Sequence, residues 1–182
     1  MALRRDAAQE GDDIWISGWL GDARLALAAY RNETVLEAAA LAQAAPRMHA
    51  PDPRVSLGLA LRGIAHAAID LSDGLRGDLG HILQRSGIGA TVDVDALPRS
   101  VLLARQADML QLQCVLAGGD DYELCFTAPA SRREQVLAAG HACGVAVTRV
   151  GRIDAAPGLR LHRADGTALQ ADFASFDHFA TP

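Results

Sequence analysis

Two carboxylates and a hydroxyl are concentrated at one chain reversal within the stretch AIDLSDGLRGDLGHIL (68–83). An apolar run ends at Asp70, and Ser72, Asp73 and Gly74 follow before a helical pattern begins. A helix N-terminus offers free N–H groups to a phosphate, but carboxylates alone would repel that phosphate. Mg²⁺ removes the repulsion, because it prefers one or two carboxylates together with waters and phosphate oxygens. The stretch therefore indicates half of a Mg²⁺–phosphate site, and a simple helix cap after a solvated strand end is the alternative.

A second motif, AGGDDYELCFTA (117–128), places an isolated glutamate in a predicted strand. Strand alternation puts Glu123 on the same face as Asp121 and Cys125. A carboxylate on a partly buried sheet face needs a partner. Both an internal arginine and a cationic ligand satisfy that need, and the sequence leaves the two open.

Arginines and aromatic residues near the two termini are further candidates. Arg4 and Arg5 precede the first predicted strand, and arginine suits bidentate contact with phosphate, although such a pair is also typical of a solvated terminus. Phe176 and Phe179 stand close together in SFDHF near the other end. They pack on the core in one interpretation and form a platform for a planar ring in the other.

Composition limits the class of protein. The chain has 182 residues, half of them hydrophobic, which suffices for one domain with a substantial core. A net charge of −5 argues against non-specific binding to nucleic acid. No apolar run is long enough to cross a bilayer, and the start lacks the apolar middle of a signal peptide. Three cysteines without CxxC spacing indicate reduced thiols. We expect a cytoplasmic protein that binds neither membrane nor nucleic acid.

Strand-like and helix-like segments alternate along the chain and must position these groups. DIWISGWL (13–20) is typical of a strand, and Asp22 is expected to cap the helix that follows. A second helix is predicted from Glu33 to about Ala45, ended by Pro46. Helices are also predicted over 74–85, over 100–116 in two pieces, and from Ser131, which is expected to cap its helix. Further strands are predicted over 66–71, 90–97, 121–128 and 145–153, and a final hairpin turns at 165–166. The pattern predicts an α+β domain, a mixed β-sheet covered by helices.

Four segments together resemble one known family. DIWISGWLGDARLAL, AIDLSDGLRGDLGHIL, GGDDYELCFT and the terminal FDHF are similar to the C-terminal half of thiamine-monophosphate kinases, in order and spacing from about residue 2 to 179. GGDDYEL combined with D-x-S-D-G-L is specific to that family. D-x-S-D-G-L alone occurs across a superfamily that includes aminoimidazole ribonucleotide (AIR) synthetase, selenophosphate synthetase and a hydrogenase-maturation protein. The resemblance implies an AIR synthase (PurM)-like C-terminal domain over 13–182, preceded by an inter-domain linker remnant over 1–12.

The resemblance also implies a reaction and its metal. Members of the family transfer the γ-phosphoryl of ATP to thiamine monophosphate, giving thiamine diphosphate, with Mg²⁺ and without a covalent phospho-enzyme. It implies that Asp70 and Asp73 are Mg²⁺ ligands, that Ser72 contacts ATP, and that Arg5 reaches ATP from the linker. Phosphoryl transfer depends on positioning and charge neutralisation, so no catalytic nucleophile is expected.

The substrate end of the site is implied in the same way. Glu123 would bind the thiamine moiety, whose ring system is cationic, and Phe179 or Phe176 would pack on the substrate. Trp19 is a departure, because the family commonly has a small polar residue there.

Nothing in this chain matches the family's N-terminal metal- and nucleotide-binding domain, which forms the dimer interface. We therefore expect little or no kinase activity from the chain alone, self-association through the apolar face that this domain would cover, and a homodimer for the full-length protein. Two alternatives remain: another ATP-dependent enzyme of the superfamily, or a non-catalytic module.

Overall fold

Six strands form one mixed sheet in the computed structural model, which describes residues 2–169. The strands are β1 (Asp12–Ser17), β2 (Ala67–Asp70), β3 (Gly89–Asp93), β4 (Leu124–Pro129), β5 (Val147–Asp154) and β6 (Gly158–His162). The helices are α1 (Asp22–Tyr30), α2 (Ala38–His49), α3 (Val55–Ala60), α4 (Leu75–Ser86), α5 (Val101–Ala104), α6 (Asp108–Ala117) and α7 (Arg133–Ala142). Phe176 and Phe179 lie outside the described residues.

The strand order is β2-β4-β1-β5-β3-β6. The pair β3–β6 is parallel and the other pairs are antiparallel, so the sheet is mixed, as the sequence predicts. β2 and β4 are neighbours, which places the two motifs of the sequence side by side at one edge of the sheet.

The central strand β1 shows how helices cover both faces of this sheet. Ile14 and Ile16 point into a core shared with α4 and α6, whereas Trp15 points into a second core shared with α3 and α7. Trp15 stacks on Phe126 of β4, with ring centroids 6.4 Å apart. Burying each such side chain contributes about 1.5–3 kcal/mol relative to leaving it exposed. The apolar run of β1 is therefore the sequence signature of a strand covered on both sides.

Three local predictions about helix ends are wrong. α2 begins at Ala38 and runs through Pro46. Proline lacks only its own N–H donor, and its carbonyl still accepts from the Ala50 N–H at 2.9 Å, so the helix continues past it. Asp22 makes no capping hydrogen bond, since other side chains occupy its carboxylate. Ser131 lies in a short 3-10 turn, and α7 begins at Arg133 without a side-chain cap.

The two ends of the described chain are both hydrogen-bonded to the sheet region. The Ala68 N–H donates to the Arg4 carbonyl at 3.0 Å, which pairs the predicted linker with the edge strand β2 in a parallel bridge. At the other end, Gly166 turns with φ 84°, and the Arg163 N–H donates to the Thr167 carbonyl at 2.9 Å. The predicted turn at 165–166 is thus confirmed. None of the helices in the described part of the chain is long and apolar enough to cross a membrane.

Candidate active site

The turn between β2 and α4 is held from behind by a buried carboxylate. Asp78, in the first turn of α4, accepts the Ser72 and Asp73 N–H groups on its Oδ2, both at 3.0 Å. Burial, together with the charges of Asp73 and Asp70, raises the pKa of Asp78 to about 6, against the lowering effect of the two N–H donors. Sequence analysis missed Asp78. Its only signal is a carboxylate on the same helical face as Leu75 and Leu79.

The second motif packs directly against this turn. The Asp120 N–H donates to the Ser72 carbonyl at 3.0 Å, and the Tyr122 N–H donates to the Leu71 carbonyl at 2.9 Å. A Cβ on Gly119 would lie 2.4 Å from the Ser72 carbonyl oxygen, so this approach requires glycine. Asp120 and Tyr122 adopt φ of 66° and 50°, a strained conformation for side-chain-bearing residues that costs about 1–3 kcal/mol each. Two segments that are distant in sequence, residues 70–74 and 118–122, are thereby held together as one double loop.

A cavity of about 600 Å³ opens beside the double loop. Asp70 and Arg5 both line it, so the structure brings together a predicted metal ligand and a predicted nucleotide contact. Its other lining residues include two arginines, Arg4 and Arg85, and the carboxylate Asp6. Arg4 pairs with Asp6 through both carboxylate oxygens. The remaining cationic surface of the cavity suits a polyanion.

The donor set at the turn fits Mg²⁺ that arrives with a phosphate. Asp70 is exposed and lines the cavity, and Asp73 is half-buried three residues further along the turn. Residues 2–169 contain no cluster of three or more His, Cys, Asp or Glu side chains that would hold a metal by themselves. Mg²⁺ commonly takes one or two carboxylates and completes its shell with waters and phosphate oxygens. Two carboxylates are therefore a fitting set for a nucleotide-bound ion.

Glu123 is fully buried and its carboxylate is held by four donors. Ser17 Oγ donates at 2.6 Å, Arg47 at 2.6 Å, and Arg54 donates twice at 2.7 Å. A Cβ on Gly18 would lie 2.1 Å from this carboxylate, so the backbone passes directly over it. The structure thus contains the arginine ion pair that the sequence left open as one alternative. A role for Glu123 in ligand binding stays a prediction.

A neighbouring carboxylate joins this cluster to the start of α1. Asp121 is buried and accepts the Gly21 N–H on both oxygens, at 2.9 and 3.1 Å. Burial raises the pKa of Asp121 well above its usual value, against the Gly21 N–H and the charge of Arg47. Arg47 also lies over the ring of Trp19, 5.6 Å from its centroid. The two aspartates of the second motif therefore differ in environment. Asp120 is exposed to solvent, whereas Asp121 is buried and holds the start of α1.

The cysteines add no nucleophile to the site. Cys114 and Cys125 are buried in the core, and burial raises the pKa of the Cys114 thiol to about 12. A thiol that stays protonated at neutral pH is a poor nucleophile.

Comparison with known proteins gives one family for most of the chain. The model of the AIR synthase related protein, C-terminal domain, matches residues 9–163. The thiamine-monophosphate kinase of Salmonella typhimurium is 46% identical over 184 residues, which is 100% of this chain and 56% of the relative. The chain thus spans about half the length of the curated relatives it matches.

Solved structures agree with this assignment. The crystal structure of thiamine-monophosphate kinase from Stenotrophomonas maltophilia K279a has a TM-score of 0.83 and 46% identity, covering 92% of this chain and 54% of that chain. AaThiL complexed with AMPPCP and TMP has a TM-score of 0.77 and 28% identity, covering 97% of this chain and 54% of that chain. The predicted α+β fold is therefore confirmed.

Proposed function

Because the chain belongs to the family of AIR synthase-related C-terminal domains, we propose that it forms one half of an ATP-dependent thiamine-monophosphate kinase. The whole protein would transfer the γ-phosphoryl of ATP to thiamine monophosphate and release thiamine diphosphate. The observation that carries this proposal is the packing of the Asp70–Gly74 turn against the Gly118–Tyr122 loop beside a cavity that Arg5 lines. Similarity to kinases over the full chain, and to a protein that binds AMPPCP and TMP, supports it.

The nucleotide end of the site uses the first motif. Asp70 and Asp73 would hold Mg²⁺, which supplies neutralisation of the charge on the phosphate oxygens. Ser72 would contact ATP, and Arg5 would pair with a phosphate from the other side of the cavity. Asp78 accepts the Ser72 and Asp73 N–H groups and so fixes the backbone of the turn that would carry these contacts.

The substrate end uses the second motif and the C-terminal segment. Glu123 would belong to the thiamine-binding region, and Phe179 or Phe176 would pack on the substrate. The whole protein would be a cytoplasmic homodimer whose N-terminal domain supplies further metal and nucleotide contacts. We expect the 182-residue chain alone to turn over little or no substrate.

The test measures thiamine diphosphate formed from thiamine monophosphate and Mg²⁺-ATP by the full-length protein. Loss of one ligand carboxylate in Asp73→Asn is expected to lower kcat by about 10²–10³, the range for losing one transition-state contact, and to raise the Mg²⁺ concentration needed for half-maximal rate. Asp165→Asn, an exposed aspartate in the distant hairpin, is the matched control and keeps the wild-type rate. Absence of product from the wild-type protein would refute the proposal. Full activity of Asp73→Asn would favour a non-catalytic role for this domain.

A further inference from the structure

Trp19 is an exposed aromatic residue whose ring is held in one orientation. Its residue surface is 44% exposed, although tryptophan is usually largely buried. The indole N–H donates to Asp22 Oδ2 at 3.1 Å, and Ser100 Oγ fixes the other oxygen of Asp22 at 2.6 Å. Asp22 itself is buried. The edge of the ring is therefore anchored to the fold while a large part of its surface faces solvent.

Trp19 is also the outer member of a chain of contacts that ends at Glu123. The Arg47 guanidinium lies 5.6 Å from the centroid of the indole and donates to Glu123 Oε1 at 2.6 Å. Glu123 is 0% exposed, and the side chains of Arg47 and Arg54 are only 15% and 13% exposed. The indole is therefore much more exposed than Glu123 and the two guanidinium groups next to it.

We propose that Trp19 stacks on the cationic ring system of thiamine monophosphate and helps to set the specificity for this substrate. The inference rests on the function proposed above. The face of an indole attracts a cation through its quadrupole, and a planar ring adds stacking area. Glu123 acts through Arg47, as a positioning residue that keeps the guanidinium beneath the indole. Arg47 and Arg54 offset the charge of Glu123, so the Asp22 carboxylate beside the indole is the group that favours a cationic ring over a neutral one.

Steady-state kinetics of the full-length protein test this role, because the two substrates give separate KM values. Trp19→Ala is expected to raise the KM for thiamine monophosphate about tenfold, equivalent to about 1.4 kcal/mol, and to change the KM for Mg²⁺-ATP less than twofold. Trp19→Phe keeps an aromatic face and is expected to stay within about threefold of wild type. Tyr30→Ala is the matched control, because Tyr30 is 48% exposed and lies at the opposite end of α1.

Binding measured by fluorescence gives a second readout that does not depend on turnover or on the alanine variant folding. Stacking of the substrate ring is expected to quench tryptophan fluorescence in the wild-type protein and to lose most of that quenching in Trp19→Phe. Equal quenching in both proteins, or an unchanged KM for thiamine monophosphate in Trp19→Ala, would overturn the inference while the kinase function stands. A wild-type protein that forms no thiamine diphosphate would instead overturn the proposed function, and this inference with it.

Discussion

Replacement of Glu123 by glutamine should strongly destabilise the fold, independently of any effect on catalysis. The carboxylate accepts four hydrogen bonds from Ser17, Arg47 and Arg54, three of them from guanidinium groups. An amide has one oxygen, so its NH₂ group would face guanidinium donors at a fully buried position. The change also leaves two cations with side chains only 15% and 13% exposed and without their shared counter-charge.

The magnitude follows from the cost of removing one partner of a buried ion pair, about 3–5 kcal/mol. That is a large part of the roughly 5–15 kcal/mol by which a domain is stable. With a urea m-value of about 2 kcal/mol/M, the midpoint of unfolding should fall by about 1.5–2.5 M. Urea titration followed by far-UV circular dichroism measures this shift. The control is Asp6→Asn, which breaks the exposed Arg4–Asp6 pair and should leave the midpoint unchanged.

A variant in which all three charged residues are replaced tests whether the unpaired charge, rather than the altered packing, causes the loss of stability. Glu123→Leu combined with Arg47→Met and Arg54→Met replaces the cluster with apolar side chains and should recover most of the lost stability. A fall of less than about 1 kcal/mol in Glu123→Gln would refute the reasoning, because the two arginines would then be well solvated without their partner. Loss of substrate binding in Glu123→Gln reports on the binding site only under conditions in which the variant is shown to be folded.

Three further changes test other parts of the structure. Gly119→Ala should raise the KM for Mg²⁺-ATP at least tenfold in the full-length protein, because its Cβ would push the double loop apart. Gly80→Ala has open space around its Cβ and should keep the wild-type KM. The same KM for Mg²⁺-ATP in both variants would contradict the tight packing at Gly119. Asp13→Asn should destabilise the fold at pH 7. Burial raises the pKa of Asp13, but hydrogen bonds and charges from Arg133 and Arg149 lower it overall, so this stabilisation is present above about pH 4 and is lost as the pH falls through the lowered pKa. A stability difference from wild type that does not shrink as the pH falls below about 4 would contradict this sign. Thr127→Val should raise the urea midpoint by an amount equivalent to about 1 kcal/mol, because the buried hydroxyl has no hydrogen-bond partner; a destabilised variant would show that it has one.

The features that sequence predicted well are those set by local pattern. The β-branched and aromatic residues of β1 identified a strand, and the sequence D-x-S-D-G at the end of β2 identified a strand-to-helix turn. Each of these signals depends on a few neighbouring residues, so it is readable without the fold.

The features that sequence missed depend on partners far along the chain. Arg47 and Arg54 lie 76 and 69 positions from Glu123, and no local pattern singles them out from the other arginines. Asp22 was expected to cap α1, but its carboxylate is occupied by Ser100, 78 positions away. Tertiary partners compete with local capping for the same oxygen atoms, and only the folded chain decides between them.

The bridge between Arg4 and Ala67 has a consequence for how this domain can be produced. β2 is the last strand at its side of the sheet, and its unpaired backbone groups would otherwise be a template for another chain. The segment before β1 therefore covers part of this edge and protects it from pairing with a strand of another molecule. A polypeptide trimmed to begin at Asp12 would lose this protection together with Arg5, and should aggregate more strongly with increasing concentration than the longer chain does.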